Sequence, residues 1–382
     1  MAIVYLTGII ITFFLSSLLL TKKRKAKADY ILAAWLFFLG LHLFLFYVVL
    51  TKKYEDWPFL LGISIPFPLA HGPFLYLYTA ALTNQFPRKS RWIWHFLPVL
   101  VLYVLLAGFL TLPGSGKIYV YEHEGRGYEQ EAVYIFAAIV LSGIAYIILS
   151  LLLLRKHRKR ILEQYAATEK VNLNWLRYLI LGIGVIWAVV IWGNEASIYT
   201  VVVFFILFIG YFGIKQVGIL NRPEEVIIPP VAATYPDPPE TNELIIAETP
   251  QTAPKKYQKS RLSQDAIEKI QAGLKQLMEQ ERLFTNPELT LSDLSQRLAI
   301  HPNILSQVIN STEEKNFYDY VNTLRVEAFL KLLAEPANKK YTLLSLAFDC
   351  GFNSKASFNR NFKKYQGLTP TEYQKQVEQE GL

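Results

Sequence analysis

The sequence predicts an all-α protein in three parts: a seven-helix transmembrane bundle, a disordered linker and a compact all-helical module. Two observations support this prediction. Long apolar runs recur through residues 1–215 and not afterwards, and about 20 apolar residues in a helix cross the hydrocarbon core of a bilayer. After the linker, apolar residues recur at helical spacing between capping residues and glycines. The predicted domain boundaries are 1–217, 218–260 and 261–382.

Seven membrane spans are predicted from the apolar runs. The third is the least regular because Pro66, Pro68 and Pro73 interrupt it, although prolines are tolerated where neighbouring groups satisfy the freed carbonyls. The first is not typical of a cleaved signal peptide, since no basic region precedes it and a basic block follows it. The predicted spans are residues 2–20, 30–50, 58–83, 93–112, 132–154, 174–193 and 197–215.

Basic residues in the loops predict the orientation. The loops after the first, third and fifth spans are strongly basic, whereas the opposite loops hold only four Lys or Arg beside several acids. By the positive-inside rule the N-terminus lies outside and the C-terminal module lies in the cytoplasm. The residues that decide this are Lys22, Lys23, Arg24, Lys25, Lys27, Arg88, Lys89, Arg91, Arg155, Lys156, Arg158, Lys159 and Arg160.

Polar or helix-breaking residues at membrane depth are candidates for sensing an unknown ligand or signal. The alternative for each residue taken singly is plain interhelical hydrogen bonding. No nucleophile constellation, paired intramembrane acids or metal-ligand spacing is present, so we predict no catalytic residue, no metal, no cofactor and no enzyme. The single cysteine, Cys350, excludes an intramolecular disulfide. The candidate sensing residues are His71, Pro73, His95 and Glu195.

Residues 218–260 are predicted to be an extended tether. Eight prolines punctuate them, and positions 219–254 carry six acids against one arginine. Low hydrophobicity combined with charge and proline resists a packed core. Such a linker would let the module reach DNA and would also offer a site for proteolytic release.

The C-terminal module contains two helix pairs by pattern. A first helix from Ser263 to about Gln280 has an apolar face that could form a dimer seam or pack on its own domain. A capping box at Thr290 starts the first pair, about 290–310, and Pro302 opens its second helix. An amphipathic helix, about 316–334, connects it to the second pair, about 342–366, which turns at Gly351. Thr369-Pro370-Thr371-Glu372 opens a last short helix.

The motifs Gly351-Phe352-Asn353-Ser354, Phe358-Asn359-Arg360-Asn361-Phe362-Lys363 and Gly367-Leu368-Thr369-Pro370 resemble the C-terminal DNA-binding domain of the arabinose-regulator (AraC) family. The resemblance covers about residues 260–377. More loosely, the apolar half resembles the seven-span sensors fused to such domains in bacteria, at Gly72-Pro73 with Tyr76 and Tyr78.

The resemblance implies a double helix-turn-helix that places two recognition helices in successive major grooves of promoter DNA. It implies a bacterial inner-membrane protein, a homodimer on DNA and contact with RNA polymerase. Carried over by position, the base-facing residues are Asn303, Ser306 and Gln307 in the first pair and Lys355, Ala356, Ser357 and Arg360 in the second, with Lys363 and Lys364 on phosphates.

One departure from the family pattern is the first recognition helix, 302–310, which has no Lys or Arg. Residues 255–382 hold 18 basic and 15 acidic residues, so phosphate neutralisation predicts modest affinity. The leading hypothesis is a membrane-embedded, one-component transcription regulator that couples an extracellular or intramembrane signal to promoter binding. The alternatives are a membrane transporter or enzyme with a regulatory DNA-binding tail, and an anchored factor released by proteolysis.

Overall fold

A computed structural model of the protein describes residues 2–169, 171–216 and 262–380. These residues are helical apart from loops and one isolated antiparallel bridge between Tyr165 and Thr290, in agreement with the predicted all-α class. The chain forms two compact units, Met1–His157 with Leu173–Glu224, and Arg158–Asn172 with Glu225–Leu382. The predicted linker, 218–260, lies outside the described residues, so its disorder stays a prediction.

The first unit is built from apolar helices, and the connections before the third and fourth of them, 51–67 and 83–96, contain short 3-10 helices. The last residues of the long seventh helix, from Arg158 onwards, belong to the second unit. The helices are α1 (Ala2–Thr21), α2 (Lys27–Leu50), α3 (Pro68–Leu82), α4 (Leu97–Leu105), α5 (Ala107–Leu110), α6 (Gly114–Glu122), α7 (Glu129–Gln164), α8 (Asn174–Trp192) and α9 (Glu195–Gln216).

Four helices in the described part of the chain are long and apolar enough to cross a membrane: α1, α2, α7 and α8. Within α9 a shorter apolar stretch covers Ala196–Gly210. The predicted third and fourth spans are not continuous helices, since α3 has 15 residues and α4 only 9. Proline lacks an N–H and clashes with the preceding turn, and α3 accordingly begins at Pro68. The structure therefore supports fewer long spans than the predicted seven.

The first unit buries one apolar face of its helices and exposes another. Leu36, Leu75 and Leu176 lie in a shared core to which α2, α3 and α8 contribute. Large apolar side chains also cover the outside, including Val104, Leu141 and Phe204. In water, so much exposed apolar surface would be unfavourable. The surface fits contact with lipid.

The second unit contains the two predicted helix pairs and their connection. The N-caps Ser263, Thr290, Asn316, Thr342 and Ser354 each accept a hydrogen bond from a backbone N–H in the first turn, as such residues do at helix starts. The helices are α10 (Gln264–Glu279), α11 (Leu291–Arg297), α12 (Pro302–Thr312), α13 (Phe317–Ala334), α14 (Leu343–Asp349), α15 (Lys355–Gln366) and α16 (Pro370–Glu380).

Helix α13 contributes to both cores of this unit. Its N-terminal half, with Phe317 and Val321, packs into a core with α10, α11 and α12. Its C-terminal half, with Val326 and Phe329, packs into a core with α14 and α15. Leu274 of α10 is buried in the first of these cores. This favours packing of α10 on its own domain over a dimer seam.

Candidate nucleic-acid interface

The second helix pair turns at a position that only glycine fits well. Gly351 has a φ of +94°, and a Cβ there would lie 2.6 Å from the carbonyl oxygen of Phe284. After the turn, Ser354 Oγ accepts a hydrogen bond from the N–H of Ser357 and so starts α15. Phe358 and Phe362, one helical turn apart, are buried and fix the inner face of α15. The side chains on the opposite side of α15 are therefore directed outwards.

The outer face of α15 carries most of the predicted contact residues. Lys355, Ala356, Arg360, Lys363 and Lys364 are exposed. A helix presenting cations in this way suits a major groove flanked by phosphates.

Ser357 does not share this outer face. Its exposed fraction is only 3%, and its Oγ and carbonyl oxygen both accept hydrogen bonds from Asn361 Nδ2. The resemblance to the AraC family predicts that Ser357 contacts a base. In the structure the side chain of Ser357, next to the buried Phe358, points into the unit instead. Its observed contacts are those of a side chain that orders α15.

Arg360 on α15 contacts two other parts of the second unit. Its Nη2 donates to Tyr318 Oη over 2.9 Å and lies 3.4 Å from Glu169 Oε1. Asn361 Nδ2 donates to the same phenol oxygen, so Tyr318 links α13 to two residues of α15. The Arg360 side chain remains 56% exposed, which leaves guanidinium N–H groups facing solvent. Nearby, Lys364 Nζ pairs with Asp319 Oδ1 at 2.6 Å.

The first helix pair presents a polar face without cations. Asn303 and Gln307 of α12 are exposed, and Ser306 is half-buried, with its Oγ accepting from Asn310 Nδ2. His301 Nδ1 caps the helix by accepting from the N–H of Asn303. All three predicted residues thus lie on one helix, and two of them are exposed.

Arg325, on α13, is a structural residue that the sequence reasoning missed. Only 1% of it is exposed, and its Nε and Nη2 each donate over 2.8 Å, to the carbonyls of Phe284 and Asn286. Its Nη1 lies 3.4 Å from the carbonyl oxygen of Ala166 and 3.3 Å from Asn322 Oδ1. Burial lowers the pKa of Arg325 to about 10, so the guanidinium stays protonated at neutral pH. An arginine inside the apolar stripe of α13 was the available signal.

His71, one of the candidate sensing residues, lies in a chain of hydrogen bonds in the first unit. His71 Nδ1 accepts from Trp35 Nε1 over 3.2 Å, and His71 Nε2 lies 3.0 Å from His42 Nδ1. Indole only donates, so a neutral His71 carries its proton on Nε2 and donates it to His42. His42 Nε2 in turn lies 3.2 Å from Tyr199 Oη. The four residues form a continuous chain from α2 through α3 to α9.

The other three sensing candidates do not join this chain in the described part of the structure. His95 Nδ1 lies 2.9 Å from Tyr146 Oη. Pro73 is buried inside α3. Glu195 is the first residue of α9, and its side chain lies outside the described residues. Among the residues described, no group of three or more His, Cys, Asp or Glu could hold a metal ion.

Comparison with known proteins defines the class of the C-terminal module. Residues 294–376 match the family described as "Helix-turn-helix domain", so the module is a helix-turn-helix domain. No solved structure matches the chain.

Three similar proteins are named as regulators. The Uncharacterized HTH-type transcriptional regulator YtdP of Bacillus subtilis (strain 168) is 32% identical over 89 residues, 23% of this chain and 11% of that protein. The HTH-type transcriptional regulator GadX of Escherichia coli (strain K12) is 28% identical over 92 residues, 24% and 32% of the two chains. The Melibiose operon regulatory protein of Escherichia coli (strain K12) is 24% identical over 91 residues, 24% and 29%.

The chain thus spans at most about a third of the length of these relatives. The three relatives are named as regulators, and the matched domain is of the helix-turn-helix class. The similarity is confined to the helix-turn-helix part, so it carries no information about the first unit.

Proposed function

We propose that the protein is a membrane-embedded transcription regulator that binds promoter DNA through its double helix-turn-helix and responds to a signal received by its first unit. The observation that carries the DNA-binding part is the cationic outer face of α15, held by Phe358 and Phe362 below it. Arg360 has N–H groups available for a bidentate bond to guanine, and the exposed Lys355 and Lys363 suit phosphates. Asn303 and Gln307 would read bases in the neighbouring groove.

DNA binding is tested with the full-length protein in detergent or lipid. We expect it to enrich specific duplexes from a random-sequence pool. Arg360→Ala should weaken binding to the enriched duplex by about 1–3 kcal/mol and relax the preference at one base pair. The matched control is Lys331→Ala, which removes an exposed cation from α13. Equal effects of the two substitutions would contradict the role given to Arg360.

The membrane part of the proposal rests on the four long apolar helices and the apolar exterior of the first unit. In the proposed topology α3 is the third span, α4 and α5 together form a broken fourth span, and α9 is the seventh. Seven spans would place the N-terminus outside and the module in the cytoplasm. In whole cells, an impermeant maleimide should label cysteines placed at Lys53 and Glu124. It should label those at Lys23, Lys89 and Lys156 only after lysis. Labelling of positions 23 and 53 from the same side would contradict this topology.

The signal is proposed to act on the hydrogen-bonded chain that contains His71. Buried polar groups between membrane helices are costly unless they are paired, so a change of partner in this chain would favour a different helix arrangement. Reporter expression in cells carrying His71→Phe tests this role. We expect reporter expression in this variant to be constant, whether or not the signal is present. Expression that follows the signal as in the wild type would exclude His71 from sensing. A homodimer and a contact with RNA polymerase remain part of the proposal.

A further inference from the structure

A short segment of the second unit lies against the helix-turn-helix domain. Residues 165–169 follow α7 directly and lie in the chain before α8. Tyr165 forms an antiparallel bridge with Thr290, and the N–H of Ala166 donates to the carbonyl of Leu289 over 3.1 Å. The segment therefore pairs with the backbone immediately before α11.

Ala166 anchors this segment. Its side chain is 0% exposed and belongs to the same core as Leu305 and Val321. Its carbonyl oxygen accepts from Asn322 Nδ2 at 2.9 Å and lies 3.4 Å from Arg325 Nη1. Buried polar groups are costly without partners, so these contacts favour one position of the segment.

The end of the segment reaches the outer face of α15. Glu169 Oε1 lies 3.4 Å from Arg360 Nη2, and only 27% of the Glu169 side chain is exposed. We propose that residues 165–169 form a docked segment that competes with DNA for Arg360 and so holds the helix-turn-helix domain in a weakly binding state. This inference rests on the proposed function, because it assumes that α15 contacts DNA.

The competition follows from the chemistry of the guanidinium. A carboxylate accepts the same N–H donors that a phosphate or the O6 and N7 atoms of guanine would accept. With Glu169 in place, one of these donors is occupied. The carboxylate also adds a negative charge where phosphates would approach, which lowers affinity further. DNA that uses all the donors of Arg360 therefore requires Glu169 to move away, and DNA that uses only the other donors still approaches against its charge.

Covalent connection makes the docked segment a route for a signal. The segment is continuous with α7 on one side and precedes α8 on the other. A rearrangement of these two helices would change the free energy of docking without passing through residues 218–260. The signal would then change how firmly the docked segment is held, and this would change the affinity of the domain for DNA.

The experiment uses the full-length protein in phosphatidylcholine nanodiscs and a fluorescent duplex enriched from a random pool by the Glu169→Gln variant. We expect Glu169→Gln to bind this duplex about threefold more tightly than the wild type, the size of effect that a partly exposed ion pair supports. Ala166→Gln should tighten binding at least as much, because a larger side chain cannot enter the filled core and the whole segment leaves. Ala166→Gln leaves the net charge of the protein unchanged, so its effect on binding cannot come from charge.

Glu163→Gln is the matched control. It removes the same charge from the end of α7, where Glu163 pairs only loosely with Lys159, at 4.0 Å. We expect wild-type affinity from it. Equal tightening by Glu163→Gln and Glu169→Gln, or no tightening by Ala166→Gln, would overturn the competition and leave only a general charge effect.

A second measurement separates the inference from the proposed function. Amide hydrogen exchange of residues 165–169 in the wild type should be slow without DNA and faster once the duplex is bound. Unchanged exchange on a protein that does bind the duplex overturns the competition and leaves DNA binding intact. If no variant, the wild type included, enriches any duplex, then DNA binding itself fails and the competition fails with it.

Discussion

Replacing Arg325 by methionine should destabilise the second unit by about 2–4 kcal/mol, because backbone acceptors inside this unit lose a charged hydrogen-bond donor. The carbonyls of Phe284 and Asn286 would each lose a 2.8 Å bond from the guanidinium. The Phe284 carbonyl lies in a buried contact, and leaving such an acceptor unsatisfied costs about 1–3 kcal/mol. Asn286 is exposed, so water can replace the guanidinium at its carbonyl and this loss adds less. The longer contact with the carbonyl of Ala166 adds less.

Amide hydrogen exchange on the full-length protein measures this loss locally. A destabilisation of about 3 kcal/mol raises the exchange rates of α13 and α15 on the order of 100-fold where opening is in equilibrium. Lys331→Met is the control, since it makes the same kind of change at an exposed position of the same helix and should alter exchange little. An increase below about fivefold in Arg325→Met would show that the carbonyls find other partners and would refute the reasoning.

Three further predictions concern the second helix pair. Gly351→Ala should lower the free energy of unfolding by about 2–4 kcal/mol, because a Cβ would meet backbone oxygens at 2.6 and 2.7 Å. The control, Gly367→Ala, has open space around the added Cβ and should lower it by only about 1–2 kcal/mol in the same exchange measurement. Phe362→Ala should cost about 3–5 kcal/mol, and an exchange change like that of an exposed substitution would contradict its place in the core. Burial raises the pKa of Cys350 from 9.0 to about 12, so the thiol ionises at lower pH in the unfolded chain than in the folded one. The free energy of unfolding should therefore fall as pH rises from 9 to 12, and the loss should reach about 1.4 kcal/mol at pH 10. The Cys350→Ala variant should lack this part of the pH slope in denaturant titrations, and an identical slope would refute it.

The helices of the second unit were predictable because their signals are local. Capping residues such as Thr290 and Ser354, the glycine at 351 and the 3.6-residue spacing of Phe358 and Phe362 act within a few residues of each helix end. The bounds of α11 to α15 accordingly agree with the prediction to within about two residues.

Features that depend on distant partners were not predictable in the same way. The position of Arg325 in the apolar stripe of α13 indicates burial, but no local pattern identifies its partners, the carbonyls of residues some 40 positions earlier. Ser357 was transferred by position, and only the packed structure shows that the helix phase turns it inwards. Apolar composition predicted the long helices of the first unit, and its prolines marked the third span as interrupted, but the short helices α4 and α5 were not predicted. In the same way, residues 165–169 have no sequence motif that points to docking.

Helix α13 sets the distance and the rotational phase between the two recognition helices. An α-helix advances about 1.5 Å and turns about 100° per residue. One residue inserted between Val321 and Val326 would therefore turn the second core by about a quarter of a circle relative to the first, while moving it very little along the axis. A DNA site that α12 and α15 could still share would then need a different angular offset between its two halves rather than a longer spacer. The length of α13 is thus coupled to the geometry of the operator, even though α13 itself carries none of the proposed base contacts.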